Sequence, residues 1–216
     1  MKILIATGLA REARLMAGPG VAVIAGGGDG ARLERELEEA CPGADLILSS
    51  GLAGGLEPRL VAGDVVFDGP RSLVEQLRAM APWAHVGKVL GSDSAIASVA
   101  GKAEAHRSGA LAVDMESHIA RRVAARRGLP CLTARVISDA AGEALPPAAL
   151  AGMSPNGEID VARVVQSLAR DPAQLPALIR TARTARIGLR ELSRLHDALR
   201  AGGIFSLDLR QFPLDV

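Results

Sequence analysis

The chain has 216 residues, is 49% hydrophobic, and carries 25 basic against 24 acidic residues, for a formal net charge of +1. This length and composition allow a large buried core, and the even charge balance argues against nucleic acid as a partner. Cys41 and Cys131 show no metal or disulfide spacing, which favours a reduced, cytoplasmic protein.

The predicted secondary structure alternates between strands and helices along most of the chain. Apolar runs that end in small or polar residues predict strands over 2–7, 21–25, 45–49, 64–67, 84–90, 110–113 and 131–138. Helical spacing predicts helices over 30–40, 73–80, 117–127, 161–169 and 174–201. This alternation indicates an α/β fold, one domain over residues 1–216, with a mostly parallel sheet covered by helices.

Two segments fit none of these elements. Residues 139–160 are rich in Pro, Gly and Ala and form the only loop long enough to act as a lid. The tail, residues 202–216, matches no clear element, and we assign it no role.

The N-terminal "MKILIATGLAREAR" has charges directly after its apolar run, so we interpret it as a first strand rather than a signal peptide.

Glycine segments follow two of the predicted strands. "GGGDGA", residues 26–31, fits a loose dinucleotide fingerprint, but Asp45 begins the next strand instead of ending it, and a tight turn explains the glycines equally. "SSGLAGGL" carries the hydroxyl of Ser50 beside the flexible backbone of Gly51 and Gly54. Such a loop could bind an anion or a sugar oxygen, or it could be a plain turn.

Two acids stand just past neighbouring strands. In a parallel sheet, ligands bind at the carboxyl ends of the strands, so Glu116 and Asp139 should face one crevice. One carboxylate could stay ionised to bind hydroxyls while the other is held neutral to donate a proton. The alternative is structural: Asp114 or Ser117 caps the following helix, and Glu116 is a favourable acid in its first turn.

Three ordered segments resemble one enzyme family. "SSGLAGGLEPRLVAGDVV", "AVDMES" and "ARVISDAAG" are similar to segments of the purine and uridine phosphorylases and the methylthioadenosine/S-adenosylhomocysteine nucleosidases. "GLAREAR", "SGALAVDMES" and "ALPPAAL" look most like the hopanoid-associated phosphorylase branch, which is thought to remove adenine from adenosylhopane. The resemblance covers most of residues 1–142 in order.

The resemblance implies a fold and a set of roles. It implies a single-domain, three-layer nucleoside-phosphorylase-like fold with a mixed sheet, a homo-oligomer, and no cofactor. Glu116 with Met115 would hold the ribose and its 2′-hydroxyl, and Asp139 beside Ser138 would protonate purine N7. Glu12 matches the acid that activates water in the nucleosidases. The family commonly stacks the base on an aromatic side chain, yet no aromatic residue stands in a matching place here.

The residues that would direct the attack on the sugar give two readings. Gly8, Arg11, Arg14 and Ser50 could bind inorganic phosphate as a co-substrate, which favours phosphorolysis. The arginines could instead lie on the solvent face of a short helix, leaving Glu12 to activate water. Neither reading needs a metal, since His85, His106, His118 and His196 show no ligand spacing.

The last predicted helix has an apolar stripe interleaved with arginines, among them Arg183, Arg186 and Arg190. This pattern is typical of a packed helix with a solvated basic face, or of a peripheral surface facing anionic lipid at the inner side of the membrane. The leading hypothesis is an enzyme that cleaves adenine from a small-molecule or lipid-linked nucleoside, with adenosylhopane as substrate. Methylthioadenosine and adenosylhomocysteine are alternative substrates, and a non-catalytic nucleoside-binding protein is the alternative of another class.

Overall fold

The computed structural model describes residues 2–154 and 156–204. Its strands are β1 Ile3–Thr7, β2 Val21–Ala25, β3 Leu46–Gly55, β4 Val65–Asp68, β5 His85–Val86, β6 Val89–Gly91, β7 Ala112–Asp114 and β8 Cys131–Asp139. Its helices are α1 Ala10–Met16, α2 Gly30–Ala40, α3 Arg71–Met80, α4 Val99–His106, α5 Ser117–Arg127, α6 Pro147–Ala151, α7 Val161–Arg170 and α8 Leu175–Ala201, with a 3-10 turn at Pro172–Gln174.

One mixed, mostly parallel sheet organises the fold. Its strand order is β2-β1-β3-β8-β4-β5, and β7 joins the end of β3 while β6 joins β7. Only the β3–β7 and β4–β8 pairs among the described strands are antiparallel. Strands β3 and β8 lie at the centre and run in parallel, so the ends of both strands reach the same edge of the sheet.

Helices cover both faces of the sheet and form three layers. Alternate residues of β1 face opposite sides, and all of Ile3–Thr7 is buried because both faces are covered. On one face, Ile3 and Ile5 pack in a core with residues of α1, α3 and α8. On the other face, Leu4 and Ala6 pack with residues of α2 and α5. The expected α/β architecture with a helix-covered, mostly parallel sheet is confirmed.

The structure differs from the sequence prediction at three places. The segment "SSGLAGGL" is not a loop. Strand β3 continues to Gly55 because β8 pairs with it from Ile47 to Gly54. The single strand expected over 84–90 is two strands, β5 paired with β4 and β6 paired with β7. Helices α4 and α6 were not expected, and α1 was only the alternative interpretation for Arg11 and Arg14. Each of the three is eight residues or shorter, which gives helical spacing little length in which to show.

The segment expected to be a lid contains α6 and an isolated antiparallel bridge between Met153 and Ile159. It contributes several residues to the wall of the main cavity, as described below. Most of the tail that we could not assign, residues 205–216, lies outside the described residues.

Candidate active site

A cavity of about 480 Å³ lies at the edge of the sheet where β1, β3, β7 and β8 end. This volume is within the range of small-molecule sites. Its polar wall contains many of the residues singled out in the sequence: Gly8, Glu12, Gly54, Met115, Glu116, Ser138 and Asp139. The rest of the wall is apolar and includes Leu145, Leu150, Met153, Ile159, Val164 and Leu178. The fold therefore brings three acids from separate elements to one cavity.

Glu12 is a buried carboxylate with donors on both oxygens. Its Oε2 accepts hydrogen bonds from Thr7 Oγ1 at 2.6 Å, Leu9 N at 2.8 Å and Gly8 N at 3.1 Å. Its Oε1 accepts one bond, from Leu52 N at 2.8 Å. These four donors fix the orientation of the carboxylate, and a carboxylate oxygen has about two lone pairs, so Oε1 keeps acceptor capacity.

Asp114 carries the structural role that the sequence left open. Its carboxylate accepts from Ser117 N at 3.1 Å and from Ser117 Oγ at 2.6 Å, so it caps the start of α5. Glu116 makes no capping bond with its side chain. Asp114 therefore fixes the strand-to-helix turn, which leaves the Glu116 carboxylate to face the cavity.

Arg135, on β8, is a fully buried guanidinium that joins these acids. Its Nη2 lies 2.5 Å from Asp114 Oδ2, 3.3 Å from Glu116 Oε2 and 2.6 Å from Ser49 Oγ. Burial alone lowers the pKa of Arg135, but nearby carboxylates outweigh that effect and raise it above its ordinary value. One permanent positive charge thus lies behind the cavity wall and offsets its negative charge.

Glu116 is poised between its two protonation states. Burial raises its pKa from 4.5 to about 7; Arg135 lowers it, while Asp114 and Glu12 raise it. Gly8 provides the room for this side chain, because a Cβ atom there would lie 2.8 Å from Glu116 Oε1. A carboxyl group with a pKa near 7 can bind a hydroxyl group as donor or as acceptor.

Asp139 has a cationic partner instead of an apolar surrounding. Its Oδ2 accepts from Lys102 Nζ at 2.5 Å, and its Oδ1 accepts from Ser138 Oγ at 2.6 Å. We expected one acid to be ionised and the other neutral, with Asp139 as the neutral donor. The structure differs from that expectation, since Asp139 lies in a buried ion pair with Lys102, whereas burial raises the pKa of Glu116.

The residues expected to bind phosphate do not lie together. Arg11 is exposed, and Arg14 is exposed and paired with Glu158; neither is among the described residues that line the cavity. Ser50 is buried within β3, where its hydroxyl lies 3.0 Å from His196 Nε2. Helix α1 explains the separation, because it turns Glu12 inward and its arginines outward.

Gly51 also has a different setting from the one expected. It lies in β3 with φ of +152°, and a Cβ atom there would lie 2.9 Å from both Arg135 Nη1 and Glu12 Oε2. Its lack of a side chain lets these two charged groups approach the strand. Gly54 does the same for Asp139, since its Cβ atom would lie 3.2 Å from Asp139 Oδ2.

Two charged residues of this site, Arg135 and Lys102, were missed in the sequence. Arg135 interrupts the apolar run "LTARVIS", and a charged residue inside a buried strand is itself a signal of a buried partner. Lys102 gave no comparable signal, because α4 was not predicted.

Three further features of the structure bear on the metal, dinucleotide and membrane interpretations of the sequence. Among residues 2–154 and 156–204, no group of three or more His, Cys, Asp or Glu could hold a metal ion. Asp29 caps α2 by accepting from Arg32 N, and Gly27 and Gly28 have φ of +62° and +80°, as expected of the tight turn; both glycines also line the cavity. No helix in the described part of the chain has the length and apolar character needed to span a membrane.

Comparison with known proteins agrees with this fold. Residues 68–174 match the family model described as the Phosphorylase superfamily. No curated protein matches the chain.

Solved structures resemble nearly the whole chain. A methylthioadenosine/S-adenosylhomocysteine nucleosidase of Campylobacter jejuni is 18% identical, with a TM-score of 0.57 over 90% of this chain and 99% of the other. A futalosine hydrolase of Helicobacter pylori is 17% identical, with a TM-score of 0.58 over 91% and 97%. A Borrelia burgdorferi protein assigned as such a nucleosidase, bound to adenine, is 14% identical, with a TM-score of 0.65 over 92% and 99%. The chain therefore has the α/β fold of these nucleosidases.

Proposed function

We propose that this protein is an enzyme that cleaves the N-glycosidic bond of an adenine nucleoside. The observation that carries the proposal is the convergence of Glu12, Glu116 and Asp139 on one cavity at the carboxyl edge of the sheet. The Phosphorylase superfamily match and the nucleosidase neighbours support the same reaction class.

The three acids suit the demands of this chemistry. Adenine is a poor leaving group as an anion, so it needs a proton or a strong hydrogen bond at N7, the role proposed for Asp139 with Ser138. The sugar becomes oxocarbenium-like as the bond breaks, and Glu116 beside Met115 would bind the ribose hydroxyls and stabilise that charge. Glu12 would hold and deprotonate the attacking water through Oε1.

We propose hydrolysis in preference to phosphorolysis, which the sequence had favoured. Arg11 and Arg14 lie outside the cavity wall and Ser50 bonds to His196, so the expected phosphate group gains no support. The two buried cations at the site, Arg135 and Lys102, are each paired with carboxylates. The Glu12 carboxyl group in the cavity wall, whose Oε1 accepts one bond, suits the activation of water.

For the substrate, we propose a nucleoside with a bulky apolar 5′-substituent, with adenosylhopane as the specific candidate. The apolar cavity wall from residues 145–164 and α8 supports a large hydrophobic group. Methylthioadenosine and S-adenosylhomocysteine are the alternative, since they are in the names of several structural neighbours. The hopanoid assignment itself rests on the resemblance of "GLAREAR", "SGALAVDMES" and "ALPPAAL".

We also propose peripheral contact with anionic lipid. Helix α7 has no fully buried residue, and Val161, Val165, Leu175 and Ile179 expose apolar side chains on α7 and the start of α8. Charge reversal of the exposed Arg183, Arg186 and Arg190 should weaken cosedimentation with anionic vesicles. We also propose that the protein forms a homo-oligomer, which analytical ultracentrifugation would test.

The reaction is tested by adenine release from purified protein, with phosphate-free and phosphate-containing buffers compared. Hydrolysis predicts equal rates and a free sugar product; phosphate-dependent release with a sugar 1-phosphate would establish phosphorolysis instead. Glu116→Gln should lose less activity on a 2′-deoxynucleoside than on the ribonucleoside, because the contacted hydroxyl is already absent. If the protein binds nucleosides but releases adenine from none of those tested, this supports the non-catalytic alternative.

A further inference from the structure

Lys102 is a lysine with no exposed surface, on a helix that contributes little else to the site. Its Nζ donates to Asp139 Oδ2 at 2.5 Å, to Ala140 O at 2.8 Å and to Glu143 O at 2.8 Å. An ammonium group has three donors, so every one of them has an acceptor. Burying a charge this completely is costly unless it is paired, and Asp139 is its only carboxylate partner among the described contacts.

The surroundings are built to accept this ion pair. Residues 140–143 form a turn in which Glu143 N donates to Ala140 O, and Glu143 Oε2 accepts from Ala140 N. This turn aims two backbone carbonyls at the ammonium group. On the other side, a Cβ atom at Gly54 would lie 3.2 Å from Asp139 Oδ2, closer than most Cβ contacts, and 3.7 Å from Lys102 Cε, in ordinary contact, so a side chain there would crowd Asp139.

We propose that Lys102 is a positioning residue that fixes the orientation of the Asp139 carboxylate and keeps it ionised until substrate binds. This inference rests on the proposed function, in which Asp139 acts at N7 of the purine. Lys102 on Oδ2 and the Ser138 hydroxyl on Oδ1 hold the carboxylate in one orientation, and we assign Oδ1, the oxygen without the ammonium partner, to the base.

The consequence is that the proton for N7 enters from solvent as the nucleoside binds. One proton is taken up and shared between N7 and Asp139 Oδ1, while Lys102 keeps its three protons and balances the carboxylate charge. The C–N bond electrons then move to the adenine, which leaves neutral. Other charged groups at this site are Glu12, Glu116, Glu158, Glu143 and Arg135, and Arg135 contacts Asp114 and Glu116 rather than Asp139.

The kinetic test compares the pH dependence of kcat/KM in wild type, Lys102→Met, Asp139→Asn and the double variant. Methionine has a similar length without the charge, so Asp139 in Lys102→Met should retain its proton to higher pH. We expect the alkaline limb of the profile to move up by about one pH unit or more. In the Asp139→Asn background, Lys102→Met should not shift the limb. A uniform loss of activity with an unmoved limb in Lys102→Met would overturn the proposal.

An infrared measurement tests the same claim without changing Lys102 and without activity. The difference spectrum between wild type and Asp139→Asn at neutral pH should show loss of a carboxylate band. Loss of a protonated-carboxyl band would overturn the proposal even if Lys102→Met failed to fold. If wild type releases no adenine, the proposed function fails, while this spectrum still decides whether Asp139 is ionised, and the same difference measured in the Lys102→Met background decides whether Lys102 is the cause.

Discussion

Glu116→Gln should stabilise the protein in a pH-dependent way, because burial raises the pKa of Glu116 from 4.5 to about 7. Between these pH values the folded protein binds more protons than the unfolded chain, so the native Glu116 lowers stability as pH rises. At about 1.4 kcal/mol for each pKa unit, the full effect is roughly 3 kcal/mol above pH 7. Glutamine has nearly the same shape and no charge, so it does not carry this penalty.

The assay is thermal unfolding of wild type and Glu116→Gln at pH 4.5 and pH 8. The two proteins should have similar midpoints at pH 4.5, and the variant should unfold about 6–12 °C higher at pH 8, from roughly 2–4 °C per kcal/mol for a chain of this size. The exposed Glu39→Gln is the matched control for the same substitution outside the cavity. The reasoning is refuted if the Glu116→Gln difference is the same at both pH values.

Two other predictions concern the buried site. Burial and, to a smaller extent, the nearby Arg200 lower the pKa of His196 from 6.5 to about 4. Between these pH values the folded protein binds fewer protons than the unfolded chain. Its free energy of unfolding should therefore fall by roughly 3 kcal/mol as pH falls through this range. In urea unfolding, the stability of His196→Asn should not show this fall. The same pH dependence in the variant as in wild type would contradict the prediction. Gly8→Ala should cut adenine release at least about tenfold without unfolding, since its Cβ atom would lie 2.8 Å from Glu116 Oε1. Activity equal to that of wild type would argue against the role of Glu116.

The sheet and two of its acids could be predicted because their signals are local. A strand such as β1 is apolar on both faces, which is typical of a covered parallel sheet, and the topology then requires the strand ends to meet. Glu116 and Asp139 follow directly from that rule, since each lies at or just after the end of a strand.

The electrostatics of the site could not be predicted because they depend on contacts distant in sequence. Lys102 and Asp139 are 37 positions apart, and a lysine on an unpredicted helix is expected to be exposed. The expectation that Arg11 and Arg14 bind phosphate beside Glu12 finds no support, for a related reason. Residues two positions apart on a helix face opposite sides, so once α1 is a helix, Arg14 cannot share the inward face of Glu12.

The central claim, that Asp139 acts on the purine in this cavity, is tested most directly by Asp139→Asn. Adenine release and equilibrium nucleoside binding should be measured on the same purified variant. Asparagine keeps the shape but cannot transfer a proton, so turnover should fall about 10²–10⁴-fold while the nucleoside still binds. Turnover near that of wild type would contradict the account.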